Sequence, residues 1–269
     1  MNYLFWEIFL FIVGSCVGSF LNVVIYRLPR NISLLSPPSH CPYCKTKIPW
    51  YFNIPILSYI ILGGKCKFCK NKISLRYPFV EFISALLFLL LFRKYSFTPP
   101  FFIFLILMLD LLIIAFIDWE HFYIPDIFSL SLIPIGLLIS FYNPLFSPVS
   151  FFGFIHPLYG HPLFQSFAGA LVGFLSLLFI GILGKIIFKK EAMGGGDLKL
   201  LAGIGSFIGV RGVFYVIFIS SLIGSVVGLL LILFKIKKRG EYIPYGPFLS
   251  LGTFVYLYFG RFVKKIFPF

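Results

Sequence analysis

Three aspartates stand beside turns in an otherwise apolar chain. Asp118 and Asp126 lie in F116-I-D-W-E-H-F-Y-I-P-D126, and Asp197 closes A192-M-G-G-G-D197. Two carboxyls a few ångströms apart in a low-dielectric site cannot both ionise, so they share a proton, and one acts as base while the other acts as acid. The base draws a proton from water for attack on a peptide carbonyl; the acid protonates the oxyanion and then the leaving amine. No nucleophilic side chain is required. Gly194, Gly195 and Gly196 lack Cβ atoms, so they can take φ > 0 and let an extended substrate backbone lie close to Asp197. A phosphate cradle fits this loop less well, because its helix would begin on Asp197, whose charge repels an anion.

A second constellation is made of sulfur. Cys41-Pro-Tyr-Cys44 and Cys66-Lys-Phe-Cys69 form two C-x-x-C pairs, 21 residues apart. Each pair presents two sulfurs from one tight turn, and four thiolates bind zinc tetrahedrally in a closed, structural site. Lys45, Lys47, Lys65, Lys67 and Lys70 are placed to offset the negative charge of that site and to favour thiolate over thiol. Redox disulfides are the weaker reading, and His40 is a lesser candidate ligand. Cys16, alone in an apolar run, reads as a small buried packing residue.

These groups must be positioned by elements that water alone cannot support. Hydrophobic residues make up 59% of the 269 and charged residues 12%, about half the charge a soluble surface carries. The composition implies a polytopic all-α membrane protein. Apolar runs near 3–25, 78–92, 100–117, 127–142, 164–188, 198–210, 213–234 and 246–263 give about eight transmembrane helices. The run 198–210 is short for a full crossing. Basic residues number 23 against 9 acidic, a formal +14, and they cluster at the ends of the apolar runs. That placement reads as topology rather than nucleic-acid binding. Residues 27–77 hold nine basic residues and no acidic one, which puts them in the cytosol and the N-terminus outside. The expected division is a first helix at 1–26, a zinc-ribbon-like four-cysteine domain at 27–77, and a membrane domain at 78–269. Residues 143–163 read as an outside loop, and no internal repeat stands out. Alternating the sides brings Asp118 and Asp197 to the same membrane level, although spacing alone does not choose Asp118 over Asp126. Glu81 and Asp110 lie inside apolar runs, where an acid is costly; either can serve function or bond a neighbouring helix. Glu7, Glu120, Glu191 and Glu241 read as solvated, and His121 is placed to tune a nearby aspartate. A proton-coupled transporter using Glu81, Asp110 and Asp118 is the competing class.

The chain resembles the type IV prepilin peptidases, bacterial inner-membrane aspartic proteases of the GxGD type. The resemblance runs along nearly the whole length. It is carried by G18-S-F-L-N-V-V-I-Y-R-L-P29, the two C-x-x-C pairs, R76-Y-P-F-V-E81, the segment Asp118 to Asp126, M193-G-G-G-D-L-K-L-L-A202 and I243-P-Y-G-P-F248. It implies that Asp118 and Asp197 are the catalytic pair, and that the substrate is the leader of type IV prepilins or pseudopilins, cut at the cytosolic membrane face. It also implies N-methylation of the new terminus with S-adenosylmethionine, a step associated with the cysteine-bearing domain.

Overall fold

The computed structural model of the chain describes residues 3–146, 161–189, 193–238 and 241–266. Most of the expected loop at 143–163, with His156, lies outside them, as do Lys190, Glu191 and Arg239. Among the described residues every extended element is a helix; the only β pairing is two isolated bridges. The chain divides into two compact units, Met1–Phe101 and Phe102–Phe269.

In the first unit, α1 (Tyr3–Arg27) packs against α3 (Arg76–Tyr95). The two run antiparallel, as the Glu7–Arg93 ion pair near one end and the Asn22 amide donating to the Tyr77 carbonyl near the other require. Gly14 and Gly18 let the backbones meet: a Cβ at either would stand 2.7 Å from the Cα of Ala85 or Glu81. Small residues four apart are a common way for membrane helices to gain contact where lipid supplies no hydrophobic drive. Glu7 is therefore paired rather than merely solvated. Cys16 corrects another expectation, since it is exposed on α1. Only the face bearing Gly14 and Gly18 is closed by α3, and Cys16 falls outside that face.

Between α1 and α3 the chain forms two knuckles and a single helical turn, α2 (Leu57–Ile61). The knuckles repeat each other. C41-P-Y-C-K-T-K-I48 and C66-K-F-C-K-N-K-I73 share the pattern C-x-aromatic-C-K-x-K-I. In each, the first cysteine's N–H donates to a carbonyl five residues on (Thr46, 3.0 Å; Asn71, 2.8 Å), and the lysine after the second cysteine takes positive φ (Lys45, 58°; Lys70, 60°). Each knuckle is closed by one bridge, His40 to Lys47 and Lys65 to Lys72. The chain thus does contain a short internal repeat, diluted in the sequence by the unlike residues between its copies.

The second unit carries α4 (Pro99–His121), α5 (Asp126–Ile139), α6 (Pro162–Phe188), α7 (Gly195–Leu233) and α8 (Gly246–Ile266). Among the described residues four helices, α1, α4, α6 and α7, are long and apolar enough to cross a membrane. A helix apolar on all faces suits lipid on one side and neighbours on the other, and the chain is a multi-pass membrane protein.

The runs at 198–210 and 213–234, expected as separate segments, both lie in α7, which breaks at Gly209 (φ 69°, ψ 176°). Residues eight apart in an unbroken helix are separated by about 12 Å along the axis. Here a Cβ on Gly205 would stand 3.1 Å from the Val213 side chain, so the chain folds back on itself. Only glycine adopts that backbone conformation without strain. The first arm packs against α6, where Gly169 faces Gly205 and Gly173 faces Leu201. The second arm packs against α8 and the segment before it, where Ser220, Gly224 and Gly228 face Gly252, Phe248 and Ile243 in turn. The Asn143 amide caps the break by donating to the Phe207 carbonyl at 2.6 Å.

Candidate functional site

The reversal at Gly209 has a geometric consequence. It returns α7 to the end from which it started, so residues 241–245 and the start of α8 lie beside the start of α7. The end of α4 arrives at the same place, because its last turns run antiparallel to α8: Ser250 donates to the Leu111 carbonyl, and Gly246 donates to Asp118.

Asp118 sits in the last turn of α4 and is 3% exposed. Its Oδ2 accepts the Gly246 N–H at 3.0 Å. That amide is free because Gly246 opens α8, where the first N–H groups have no partner within the helix. Pro247, placed next, has no N–H to leave unpaired. Asp197 sits in the first turn of α7 and is likewise 3% exposed. Its Oδ2 accepts the Gly194 N–H at 3.3 Å, as the acidic residue of a capping box does. Asp197 Oδ1 is buried and has no hydrogen-bond partner among the described residues. A buried carboxylate oxygen left open in this way is suited to a water or a substrate.

One side chain ties the two supports together. A Cβ on Gly196 would stand 2.9 Å from Ile124 Cβ, and one on Gly246 would stand 3.2 Å from Ile124 Cδ1. Ile124 therefore separates the Asp197 loop from the Asp118 amide donor by one side-chain width. Tyr242 covers the same place. Its ring lies 5.6 Å from that of Phe122, and Lys237 donates to its carbonyl at 2.8 Å. Burial first, then the charges of Asp197 and Asp118, push the Tyr242 phenol above its ordinary pKa. A Cβ on Gly194 would stand 3.1 Å from Asp197 Oδ2 and 3.7 Å from the Tyr242 hydroxyl, so the phenol lies beside Asp197. Burial also raises Tyr245, opposed by a hydrogen bond with Ser221 and aided by the charge of Asp197.

Asp126 is excluded from this cluster. Its carboxylate is more than half exposed and forms an ion pair with Lys199 at 2.8 Å. His121 hydrogen-bonds to neither aspartate, and its Nε2 is buried without a partner among the described residues. The three glycines do not use the left-handed conformation open to them. Gly194 has φ −75°, and Gly195 and Gly196 lie in the α7 helix; none takes positive φ. Their role is spatial: Gly194 leaves room for Asp197 Oδ2 and Tyr242, Gly196 for Ile124, and beside Gly195 there is open space.

The four cysteines converge as their spacing implies. Their sulfurs all lie within 4.8 Å of one another, Cys41 and Cys69 at 3.8 Å, and all are thiols. Sulfurs about 2.3 Å from a tetrahedral zinc stand about 3.8 Å apart, so the donor set fits that ion. Hydrogen bonds from Thr46, first from its side chain, hold the Cys44 thiol down to about 6. At Cys69 a lowering bond from Asn71 is outweighed by burial and the neighbouring sulfurs, which push it up to about 11. His40 is not in the cluster; its Nδ1 meets the Pro38 carbonyl.

Residues 12–95 match the Bacterial Peptidase A24 N-terminal domain, and residues 102–229 match the Type IV leader peptidase family. A prepilin leader peptidase/N-methyltransferase of Neisseria gonorrhoeae is 34% identical over 268 residues, covering 91% of this chain and 87% of the relative. The chain belongs to the type IV leader peptidase family. Similar relatives with that same name occur in Pseudomonas aeruginosa, 34% identical over 93% of this chain and 89% of the relative, and in Myxococcus xanthus, 37% identical over 84% of this chain. The chain spans 63% of the Myxococcus relative's length. No solved structure matches. As a family member the chain is an enzyme, a peptidase whose relatives are also named for N-methyl transfer. The cysteine cluster lies within the N-terminal family match and both aspartates within the peptidase match. Gly246, which holds Asp118, lies beyond the matched span. The motif I243–F248 contains this glycine, but nothing in its spelling points to the bond that Gly246 makes.

Proposed function

We propose that this protein cleaves the leader of type IV prepilins or pseudopilins at the cytosolic face of the bacterial inner membrane, with Asp118 and Asp197 activating water. The observation that carries this reading is the pair itself: two buried aspartates, each held through one oxygen by a glycine N–H, with Asp197 Oδ1 left open. Held in this way, one carboxylate takes a proton from the attacking water while the other, protonated, donates to the developing oxyanion and then to the leaving amine. A prepilin's apolar helix lies among the membrane segments and its basic leader stays in the cytosol, so the scissile bond meets the end of α4.

Residues 1–26 are the first anchor, 27–77 the zinc domain and 78–269 the peptidase domain. The reversal at Gly209 supports eight crossings, with the N-terminus outside and residues 27–77 in the cytosol. Zinc on Cys41, Cys44, Cys66 and Cys69 is structural, since four sulfurs leave it no open position. After cleavage the new terminus is N-methylated from S-adenosylmethionine, as the relatives' names support. The transporter reading is not favoured, since Asp118 is bound to Gly246 and Glu81 to a backbone amide.

The test is incubation of the purified protein with a prepilin, read by mass spectrometry. Asp118→Asn or Asp197→Asn should keep the fold and zinc content and lose cleavage by at least about a thousandfold. Substantial cleavage by either variant would overturn the assignment.

A further inference from the structure

Within the first unit, a cavity of about 740 Å³ opens where α1 and α3 meet the cysteine knuckles. Small-molecule sites run from about 300 to 1,000 Å³, so this one is large enough for a nucleoside-sized ligand together with a peptide terminus. Nothing in leader cleavage uses it.

Its walls carry polar groups that protein packing alone does not satisfy. Asn22 is 2% exposed and Ser58 is 8% exposed; both line the cavity. Asn22 Oδ1 and Ser58 Oγ are buried with no hydrogen-bond partner among the described residues. Orphaned buried polar atoms are rare and costly, and two in one cavity point to a ligand with N–H and O–H groups. The third wall group is Glu81, 8% exposed, the one acid among the cavity's lining residues. It accepts the Ile56 N–H at 2.7 Å. Ile56 holds φ 61° and ψ −53°, a strained conformation for a β-branched residue. The chain therefore bends unfavourably to present that amide to the Glu81 carboxylate, whose backbone is itself packed against α1 at Gly18. Strain of this kind collects at functional sites.

The remaining wall is aromatic and basic. Tyr26, Phe52 and Tyr59 line it, and the Arg30 guanidinium lies 4.2 Å from the Tyr26 ring centre. Rings suit an adenine and a sulfonium cation, an arginine suits an amino-acid carboxylate, and Asn22 and Ser58 suit nucleoside donors. These residues fit S-adenosylmethionine.

We infer that this cavity is the methyl-donor site, and that Glu81 receives the N-terminal ammonium of the cleaved substrate and takes its proton. The inference rests on the N-methyl transfer proposed above. With its proton on Glu81, the amine nitrogen bonds to the methyl carbon as the carbon–sulfur bond breaks. The electron pair of that bond stays on sulfur, giving S-adenosylhomocysteine, and Glu81 later releases the proton to water. Glu81 is then a catalytic residue for methyl transfer, separate from the peptidase pair.

Two measurements on the full-length protein test it. Photo-crosslinking with radiolabelled S-adenosylmethionine should label peptides within residues 16–30, 48–59 or 66–81; label confined to residues 102–269 would overturn the site. Glu81→Gln should bind S-adenosylhomocysteine within about twofold of the parent by calorimetry and still cleave a prepilin, but methylate it at least a hundredfold more slowly. Glu81→Asp should recover part of that loss. Methylation by Glu81→Gln at the parent rate would overturn the role of Glu81. If that variant does not fold, shown by lost cleavage and lost zinc, the crosslink on the parent protein decides the site and Glu81→Asp decides the role. A parent protein that cleaves but never transfers a methyl group would sink the methylation reading itself, a different result from methylation with label elsewhere.

Discussion

Gly246 donates its backbone N–H to Asp118 Oδ2 at 3.0 Å, across 128 positions of sequence. A Cβ at Gly246 would stand 2.7 Å from that same oxygen. The residue that orients the carboxylate must therefore have no side chain. Gly246→Ala should displace Asp118 and lower kcat for leader cleavage by at least about tenfold, since a small misplacement at a reacting group costs up to about a hundredfold. Zinc content, set in the other unit, should not change. Cleavage at the parent rate would show that the Gly246 bond does not position Asp118.

Asp126 provides the matching control. It is exposed and paired with Lys199, and exposed pairs contribute about 0–1 kcal/mol. Asp126→Asn should retain cleavage within about threefold and shift the unfolding midpoint little. The sequence motif contains both aspartates; burial and partner separate them. A collapse of activity in Asp126→Asn with Asp118→Asn still active would reverse the choice.

The cysteine cluster ties metal binding to pH. Zinc takes thiolates, so each thiol still protonated at the working pH releases a proton on binding. Cys44, held down to about 6, is largely ionised at pH 7, whereas Cys69, pushed up to about 11, is not. Zinc affinity should therefore rise with pH and fall at least about tenfold per unit between pH 8 and pH 6, as calorimetry in two buffers of different ionisation enthalpy would show. Affinity independent of pH would mean that the four sulfurs are already ionised without metal.

What the sequence shows and what it hides follow from the range of the interactions. The four cysteines were legible because each knuckle is a local turn and the sulfurs' chemistry allows few alternatives. The helices were legible because 15–25 apolar residues in a row have little choice of environment. The reversal itself was legible as a break between the runs 198–210 and 213–234, but the residue that makes it was hidden, since one glycine among the many of G203-I-G-S-F-I-G-V-R-G212 has no local mark of its own. The bond from Gly246 to Asp118 was hidden because it depends on where two distant helices end. The cavity at Glu81 was hidden for the same reason: its polar groups come from α1, α2 and α3. In the sequence Glu81 is one acid in an apolar run, and only the Ile56 amide and the open space beside it separate function from helix bonding.

Gly209 also sets a stability test. Its φ of 69° and ψ of 176° suit only glycine, and a Cβ there would stand 3.1 Å from the Phe146 ring. Gly209→Ala should cost about 1–3 kcal/mol, measured as a lower unfolding midpoint in detergent. The loss should spread to the peptidase, because the same turn returns α7 to the end where Asp197 begins. A variant as stable as the parent would mean that the two arms of α7 do not fold back there.

Geometry divides the three glycines before Asp197 by role. A Cβ on Gly196 would press into Ile124 at 2.9 Å, and one on Gly194 would stand 3.1 Å from Asp197 Oδ2, but one on Gly195 would meet nothing within 4 Å. Alanine at Gly196 is thus expected to disturb the site with or without substrate. Alanine at Gly195 should leave folding, zinc and unfolding midpoint unchanged, and helix propensity there favours it over glycine. If the prepilin strand passes beside Asp197, the added methyl group occupies the strand's path. Gly195→Ala should then raise KM for the prepilin by about tenfold or more with a smaller change in kcat, the mark of lost binding rather than lost chemistry. Unchanged kinetics in Gly195→Ala would show that the substrate backbone does not run over this loop, and would move its path to the Tyr242 side of the aspartate pair.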